Sequence, residues 1–379
     1  MYFFNTSLTL LRNLSGYLYI QTFFMLNTST NRKIFQNLPD ESRCFPQPAF
    51  DLLRELGLLT INLPPQNNKK LAKKGELNYL LHNLRRVGRA DLSVGRIYEG
   101  HLNGIELIKI YGTNAQKKFY FEEVRNGKLF SVWNTELPEE SIQIREKEEA
   151  YILEGAKVFC SGSLNIDYAL LTAYQKKTPQ LLIVPIKKNT DLKADWSLWN
   201  PMGMKASVSS RIDFTGIKVN TNQLLGIPGD YLKEPAFSGG AIRFAAVQLG
   251  GAEAIFRESV QHLKKVQRAG DPHQQKRIGK MATLIKSGKL WLDGATEMEG
   301  STPKDVEKTV NYANMARSAI GSICQDVMLL AERSVGLQGY MQGHPLEKLH
   351  RDLSTYLKQP GPDLALMRVG GYAATHCSL

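Results

Sequence analysis

Little in this sequence offers a metal ion or a disulfide framework a foothold. Its four cysteines, Cys44, Cys160, Cys324 and Cys377, stand far apart with no CxxC pair, and its seven histidines show neither HExxH nor zinc-ligand spacing. The expectation is no metal and a reducing, cytoplasmic setting. No run reaches the ~18 uninterrupted apolar residues of a membrane span, so no membrane span is expected. The common nucleotide and acyl-transfer signatures are missing too. Gly239-Gly240 and Gly250-Gly251 stand at or inside a helical pattern rather than in a GxGxxG turn, Gly279-Lys280 lacks the upstream glycine of a P-loop, and there is no GxSxG elbow. Any nucleotide cofactor needs another architecture. Lys and Arg outnumber Asp and Glu by 48 to 36, a net charge of +12, yet no stripe of arginine interleaved with aromatics appears. The longest basic cluster, Asn68 to Lys74, reads as loop. A solvated basic surface, with no nucleic-acid partner, follows.

What is present is an ordinary globular composition: 42% hydrophobic and 22% charged residues in 379, enough for two or three domains. Met1 to Asn27 is rich in Phe, Leu and Tyr but broken by Asn5, Arg12, Asn13 and Ser15. It reads either as an extra amphipathic arm or as sequence preceding a true start at Met25, and residues 1–38 form an N-terminal extension. Residues 39–128 carry helical stripes: Phe50, Leu53, Leu56 and Leu59; then Leu77, Leu80, Leu81 and Leu84, ending near Gly88; then Leu102, Ile105, Leu107 and Ile108, with Gly112 as C-cap. Residues 129–234 switch to short apolar runs, Leu129–Trp133, Lys157–Ser161, Tyr168–Tyr174, Leu181–Ile186 and Ile212–Val219, punctuated by Gly, Pro, Asn and Asp. That spacing predicts a small antiparallel barrel or sandwich. Residues 235–379 return to longer helices. The cleanest follows Thr302-Pro303, with apolar steps from Val306 to Leu330, and predicts a helical bundle. The fold class is α+β: an N-terminal helical domain, a central antiparallel β-barrel and a C-terminal four-helix bundle.

Six segments along that order resemble the acyl-CoA dehydrogenase superfamily of flavoproteins, over roughly residues 39 to 375. Val132-Trp133-Asn134-Thr135-Glu136 resembles the family's aromatic-x-x-Thr-Glu segment, and Gly155-Ala156-Lys157-Val158-Phe159-Cys160-Ser161 its Gly-x-Lys-x-Trp-Ile-Thr strand. Gly203 to Ser207 and Ile212 to Val219 resemble the last barrel strands. Gly336-Leu337-Gln338-Gly339-Tyr340 is similar to its glycine turn, and Pro345 to Asp352 to its Pro-x-Glu-x-x-x-Arg-Asp helix. The resemblance implies FAD, or alternatively reduced FMN. Trp133, Thr135, Phe159 and Ser161 would lie on the flavin, and Arg268, Arg333, Gly336, Gln338 and Gly339 would lie toward the cofactor phosphates of a neighbouring subunit. It further implies a homodimer or homotetramer and an electron acceptor or flavin reductase as partner.

The same resemblance exposes a gap. The family's usual catalytic Glu position is Pro360, and the alternative Glu position, before Arg243, is Ile242. Candidate substitutes are His101, Asp363 and Glu253. The shortened Gln267–Gln275 loop, with Arg268, also departs from the family pattern, as does Arg333, which replaces a glutamine. Three functions stay open: an oxidoreductase passing hydride from an acyl thioester to flavin N5 with a nonstandard base; a reduced-flavin monooxygenase of the hydroxylase branch; and a flavin- or acyl-binding protein without turnover.

Overall fold

The computed structural model describes residues 35, 44–64, 73–147, 150–298 and 303–376. Met25, the Thr302 cap and most of the basic Asn68–Lys74 cluster lie outside them, as does Cys377.

Four helices open the fold: α1 (Gln47–Glu55), α2 (Lys73–Ala90), α3 (Leu92–Tyr111) and α4 (Asn114–Arg125). Local chemistry sets their starts. Asp91 caps α3 by accepting the Val94 N–H at 2.9 Å, and Thr113 with Gln116 forms a capping box on α4. The second apolar stripe continues past Gly88 to Ala90. Gly112 caps α3 as expected but with extended backbone, φ −69°. The sequence reading missed α4.

The central region holds β1 (Phe130–Trp133), β2 (Gln143–Lys147), β3 (Ala150–Glu154), β4 (Ala156–Cys160), β5 (Tyr168–Gln175), β6 (Thr178–Pro185), β7 (Ala194–Asp195), β8 (Ser210–Asp213), β9 (Lys218–Val219) and β10 (Leu224–Leu225). One sheet runs β10-β6-β5-β2-β3-β9, with β1 also on β5; a second runs β4-β8-β7. Most pairs are antiparallel, but β1 and β2 each meet β5 in parallel. The segment Ile212–Val219, read as one run, is two strands in different sheets, because Gly216 turns the chain at φ 86°. Gly203–Ser207 is not a strand: Lys205–Ser207 forms a 3-10 turn.

Five helices complete the chain: α5 (Ala236–Lys265), α6 (Pro272–Ala295), α7 (Pro303–Val335), α8 (Pro345–Tyr356) and α9 (Pro362–His376). α5, α6 and α7 pack on one another, α9 lies against α7, and α8 against α5. α5 also runs along α2, joining the two helical regions. The approach there is close. A Cβ on Gly250 would lie 2.1 Å from the Arg85 carbonyl oxygen, so only glycine fits. One apolar core runs through all three regions, from Phe50 through Phe130 and Leu170 to Val327.

Candidate functional site

The site is built on a bulge in β4. Pairing with β8 slips between Lys157 and Cys160, and there Phe159 takes φ 54°. For a bulky residue that left-handed backbone costs about 1–3 kcal/mol. The slip turns the ring outward: Phe159 is 48% exposed, while Val158 and Cys160 on either side are buried. The edge of Trp199 meets it, with ring centroids 6.3 Å apart. Folding alone gains little from a strained, exposed aromatic, whereas a planar ligand gains a stacking surface.

Just past the end of β4, two residues beyond Phe159, the chain enters a floor of neutral polar groups. The Ser161 carbonyl accepts the Trp133 indole N–H at 3.0 Å and the Ser131 hydroxyl at 3.2 Å. Ser161 Oγ hydrogen-bonds Ser209 Oγ at 3.0 Å, Ser209 meets Ser207 at 2.9 Å, and Ser163 meets Ser210 at 2.7 Å. All these serines are buried. Ser163, Met204 and Val208 also hold positive φ, at 43°, 63° and 41°. With Phe159 they put several strained non-glycine residues in one neighbourhood, as ligand sites do. Thr135 lies exposed at the rim. Its carbonyl accepts the Val158 N–H at 2.9 Å, and its hydroxyl has no partner among the described residues. Behind the floor, fully buried Lys157 donates to Glu136 and, at 3.1 Å, to Thr172 Oγ1, fastening β4 to β5 and to the segment after β1. Burial draws its pKa below the usual range.

Helix α3 lies directly on this floor: a Cβ at Gly100 would stand 3.1 Å from Ser131 Oγ. Here one expectation is corrected. His101 is fully buried, its Nε2–H donates to the Leu59 carbonyl at 2.8 Å, and its Nδ1 accepts the Phe130 N–H at 3.1 Å. Both ring nitrogens are committed, and burial lowers its pKa to about 4. It joins the Leu58–Thr60 turn to β1 and has no face toward a substrate. Glu253 is likewise occupied, by Arg85, by Lys289 at 2.9 Å and by Arg89 at 3.7 Å.

α3 carries a second set of polar residues, toward α5. Arg96 pairs with Glu99, Asn103 donates to Glu99, and Arg243 of α5 donates to Asn103. Glu99 is 2% exposed. Beside Arg243, the Phe244 ring lies under the Arg317 guanidinium, 5.1 Å from its centroid, and Arg317 donates to the Pro360 carbonyl at 2.8 Å. The loop at Pro360 therefore closes over the same end of α5. Asp363 sits in the first turn of α9, exposed. The sequence reading missed Arg96, Glu99, Asn103, Arg243 and Arg317 as a group. Part of the signal was available, since Arg96, Glu99 and Asn103 stand at i, i+3 and i+7 of one helix; Arg243 and Arg317, on other helices, gave none.

α8 clamps the β region. Arg351, paired to Glu347, donates to the Met202 carbonyl at 3.0 Å, and Asp352 accepts the Met204 N–H at 2.5 Å. A Cβ on Gly203 would meet the Arg351 carbonyl carbon at 2.2 Å. The Arg-Asp pair thus holds the loop that leads to Ser207, beyond any role within its own helix. Arg268 and Arg333 occupy a different corner of the bundle. Arg268 is within 4.0 Å of Asp271, which caps α6; Gln274 in the same turn reaches the Ser334 carbonyl at 3.4 Å, next to Arg333. Gly336, at φ 71°, opens the turn holding Gln338 and buried Gly339. This corner is built from α6, α7 and the turn after α7, whereas Phe159 and Ser161 stand at and just past the end of β4. Among the described residues, no group of three or more His, Cys, Asp or Glu could hold a metal ion, and no helix is long and apolar enough to cross a membrane.

Residues 230–363 match the family described as "Acyl-CoA dehydrogenase, C-terminal domain". The chain is 25% identical over 354 residues to mitochondrial isobutyryl-CoA dehydrogenase of Dictyostelium discoideum, covering 89% of this chain and 83% of the relative. Among solved structures, glutaryl-coenzyme A dehydrogenase bound to glutaryl-CoA superposes with TM-score 0.82 at 20% identity, covering 96% of each chain. TdsC of Paenibacillus sp. A11-2, with FMN and indole, superposes with TM-score 0.79 at 18% identity, covering 95% of this chain and 96% of TdsC. At such identities the structural likeness is one of fold.

Proposed function

We propose a function from one premise, that the chain belongs to the acyl-CoA dehydrogenase superfamily. The protein is a flavin-dependent oxidoreductase whose substrate is an acyl thioester or a related activated acyl compound. The observation that carries this reading is Phe159: an exposed aromatic on strained backbone at the β4 bulge, two residues before Ser161 and its buried hydroxyl network. These residues fit a flat heteroaromatic ring with a polar edge. Phe159 would stack on it, and Ser161 and the unpartnered Thr135 hydroxyl would donate to its polar atoms, with Trp133 fixing the Ser161 backbone. Flavin, when bound, supplies a two-electron acceptor; the chain's residues hold and orient it.

FAD is the expected form. Arg268 and Arg333, with the turn at Gly336, Gln338 and Gly339, would then bind phosphate in a second copy of the chain. Exposed Leu329, Leu337, Met341, Leu366 and Met367 supply an apolar face for that copy. A specific observation favours a second reading. Both family positions for a catalytic carboxylate, Pro360 and Ile242, lack one, and Asp363 is the remaining candidate. A monooxygenase using reduced FMN needs no such base, and TdsC, of like fold, is a dibenzothiophene monooxygenase.

The readings separate experimentally. Purified protein is reconstituted with FAD or FMN and mixed anaerobically with butyryl-CoA. Bleaching of the flavin supports the dehydrogenase, whereas oxygen consumption only with reduced FMN supports the monooxygenase. Flavin binding with neither response leaves a non-catalytic binding protein. Failure to bind flavin in any redox state refutes the proposal.

A further inference from the structure

The helical wall of the site carries more positive charge than it balances. Three guanidinium groups, those of Arg96, Arg243 and Arg317, gather near one end of α5, and among the described residues Glu99 is the one carboxylate paired with any of them. Arg243 spends a single N–H, its Nε, on Asn103, leaving the two-pronged end of its guanidinium without a described partner. Arg317 faces the Phe244 ring and one carbonyl, and burial without a neighbouring carboxylate lowers its pKa. The Arg96 side chain is 25% exposed, so the group is reachable from solvent, while Glu99 is sealed beneath it. A second observation points the same way. Tyr356 of α8 is 3% exposed, and its hydroxyl has no hydrogen-bond partner among the described residues. Glu99 and Arg96 both act on that phenol electrostatically, which places it beside the cluster.

Half-buried cations are normally matched by anions, and a buried hydroxyl by a partner. Here both go unmatched next to the floor built by Ser131 and Ser161, on the helix that covers it. An aliphatic acyl chain would leave them so. We propose that this cluster is a substrate subsite for a carboxylate, gripped by Arg243 and Arg96 with the Tyr356 hydroxyl as third donor, so that the substrate carries a negative charge apart from its reacting carbon. The assignment deepens the flavin-oxidoreductase reading and rests on it for the word substrate; the anion site itself rests on protein groups alone. Glu99 is a positioning residue: it holds Arg96 and Asn103, and through Asn103 it orients Arg243.

The test compares two thioesters that differ only at the acyl terminus, butyryl-CoA with its methyl and succinyl-CoA with its carboxylate, so the CoA phosphates cancel. Binding is read from perturbation of the visible flavin spectrum of the reconstituted protein. Succinyl-CoA is expected to bind at least about tenfold more tightly, and Arg243→Gln to abolish the difference while leaving butyryl-CoA affinity in place. Arg317→Gln, on another helix, serves where the first variant fails to fold and is expected to reduce the preference. Equal or tighter binding of butyryl-CoA overturns the proposal. Calorimetric titration of succinate into protein without added flavin separates the two levels. Succinate binding in protein that takes no flavin keeps the anion site and removes the oxidoreductase reading. Flavin binding without succinate binding or carboxylate preference does the reverse. Inorganic phosphate binding as tightly as succinate overturns the carboxylate assignment.

Discussion

The floor and the wall of the cleft are built on opposite terms. The floor, from β1, β4 and β8, is buried and uncharged on its ligand side: serine hydroxyls bonded to one another, an indole N–H on a carbonyl, one aromatic ring turned outward. The wall gathers Arg96, Arg243 and Arg317 from α3, α5 and α7, and among the described residues Glu99 is the one carboxylate paired with any of them. The floor holds the Trp133–Glu136 and Gly155–Ser161 segments by which the chain resembles flavoprotein dehydrogenases, and the wall holds Ile242, one of the two positions without the family's carboxylate. Recognition of a planar cofactor needs shape and neutral donors, which tolerate little change. The wall, by the proposal above, would meet the substrate and could change with it. In this chain Arg317 joins the Pro360 loop to α5, donating to the Pro360 carbonyl and lying over the Phe244 ring beside Arg243.

The joint between floor and wall should be the most sensitive point. Gly203→Ala places a methyl group within the Arg351 backbone, and α8 must move away from the Met202–Met204 loop. A loss of more than about 3 kcal/mol in chemical denaturation is expected, together with weakened flavin retention. A variant of native stability would show that α8 does not clamp the floor.

Next comes Glu99, the carboxylate paired with Arg96. Glu99→Gln leaves Arg96 without its counter-charge at a largely buried position and should cost about 3 kcal/mol, read as a lower melting temperature. Excess succinate should restore part of that loss, because a bound carboxylate replaces the missing charge. Melting unchanged by succinate would mean that the cations are balanced in some other way.

His101 sharpens the comparison from the opposite side of the same helix. It is neutral in the folded protein, with a pKa lowered by burial to about 4 against 6.5 when unfolded. Between those values the unfolded chain binds more protons. Stability is therefore fully present above pH 6.5, falls as the pH drops through that window, and is at its lowest below pH 4. His101→Leu should flatten this slope in a pH series of denaturation curves. At neutral pH it should cost about 2 kcal/mol, since the Phe130 N–H and Leu59 carbonyl lose their partner. Flavin affinity should not change; a loss of affinity or turnover at unchanged stability would return His101 to the site.

The sequence revealed the three-part architecture because hydrophobic period is a local signal: the steps from Val306 to Leu330 and the runs around Phe130, Leu170 and Leu182 each report their own element. It hid β2 because Gln143 to Lys147 is a polar strand with no apolar alternation to read, whereas β3 was missed although Tyr151, Ile152 and Leu153 form a short apolar run. It hid α4 behind a charged surface, although Thr113 and Gln116 spell its capping box. At the site, the motif residues on β1 and β4 could be named from local pattern. The bulge that exposes Phe159 could not, because it depends on how β4 registers with β8. The arginine cluster was hidden for a related reason: its members come from positions 96, 243 and 317 on three helices, and only packing brings them together.

The smallest expected change in stability tests the central claim most directly. Phe159→Gly removes an exposed ring and relieves a left-handed backbone, so the variant should be no less stable than the parent, by up to about 1 kcal/mol the more stable of the two. Its dissociation constants for FAD and FMN, measured by fluorescence titration, should nevertheless weaken by about tenfold or more, because the stacking surface is gone. Undiminished flavin affinity in the glycine variant would contradict the account, since Phe159 would then be strained for no ligand that this cleft holds.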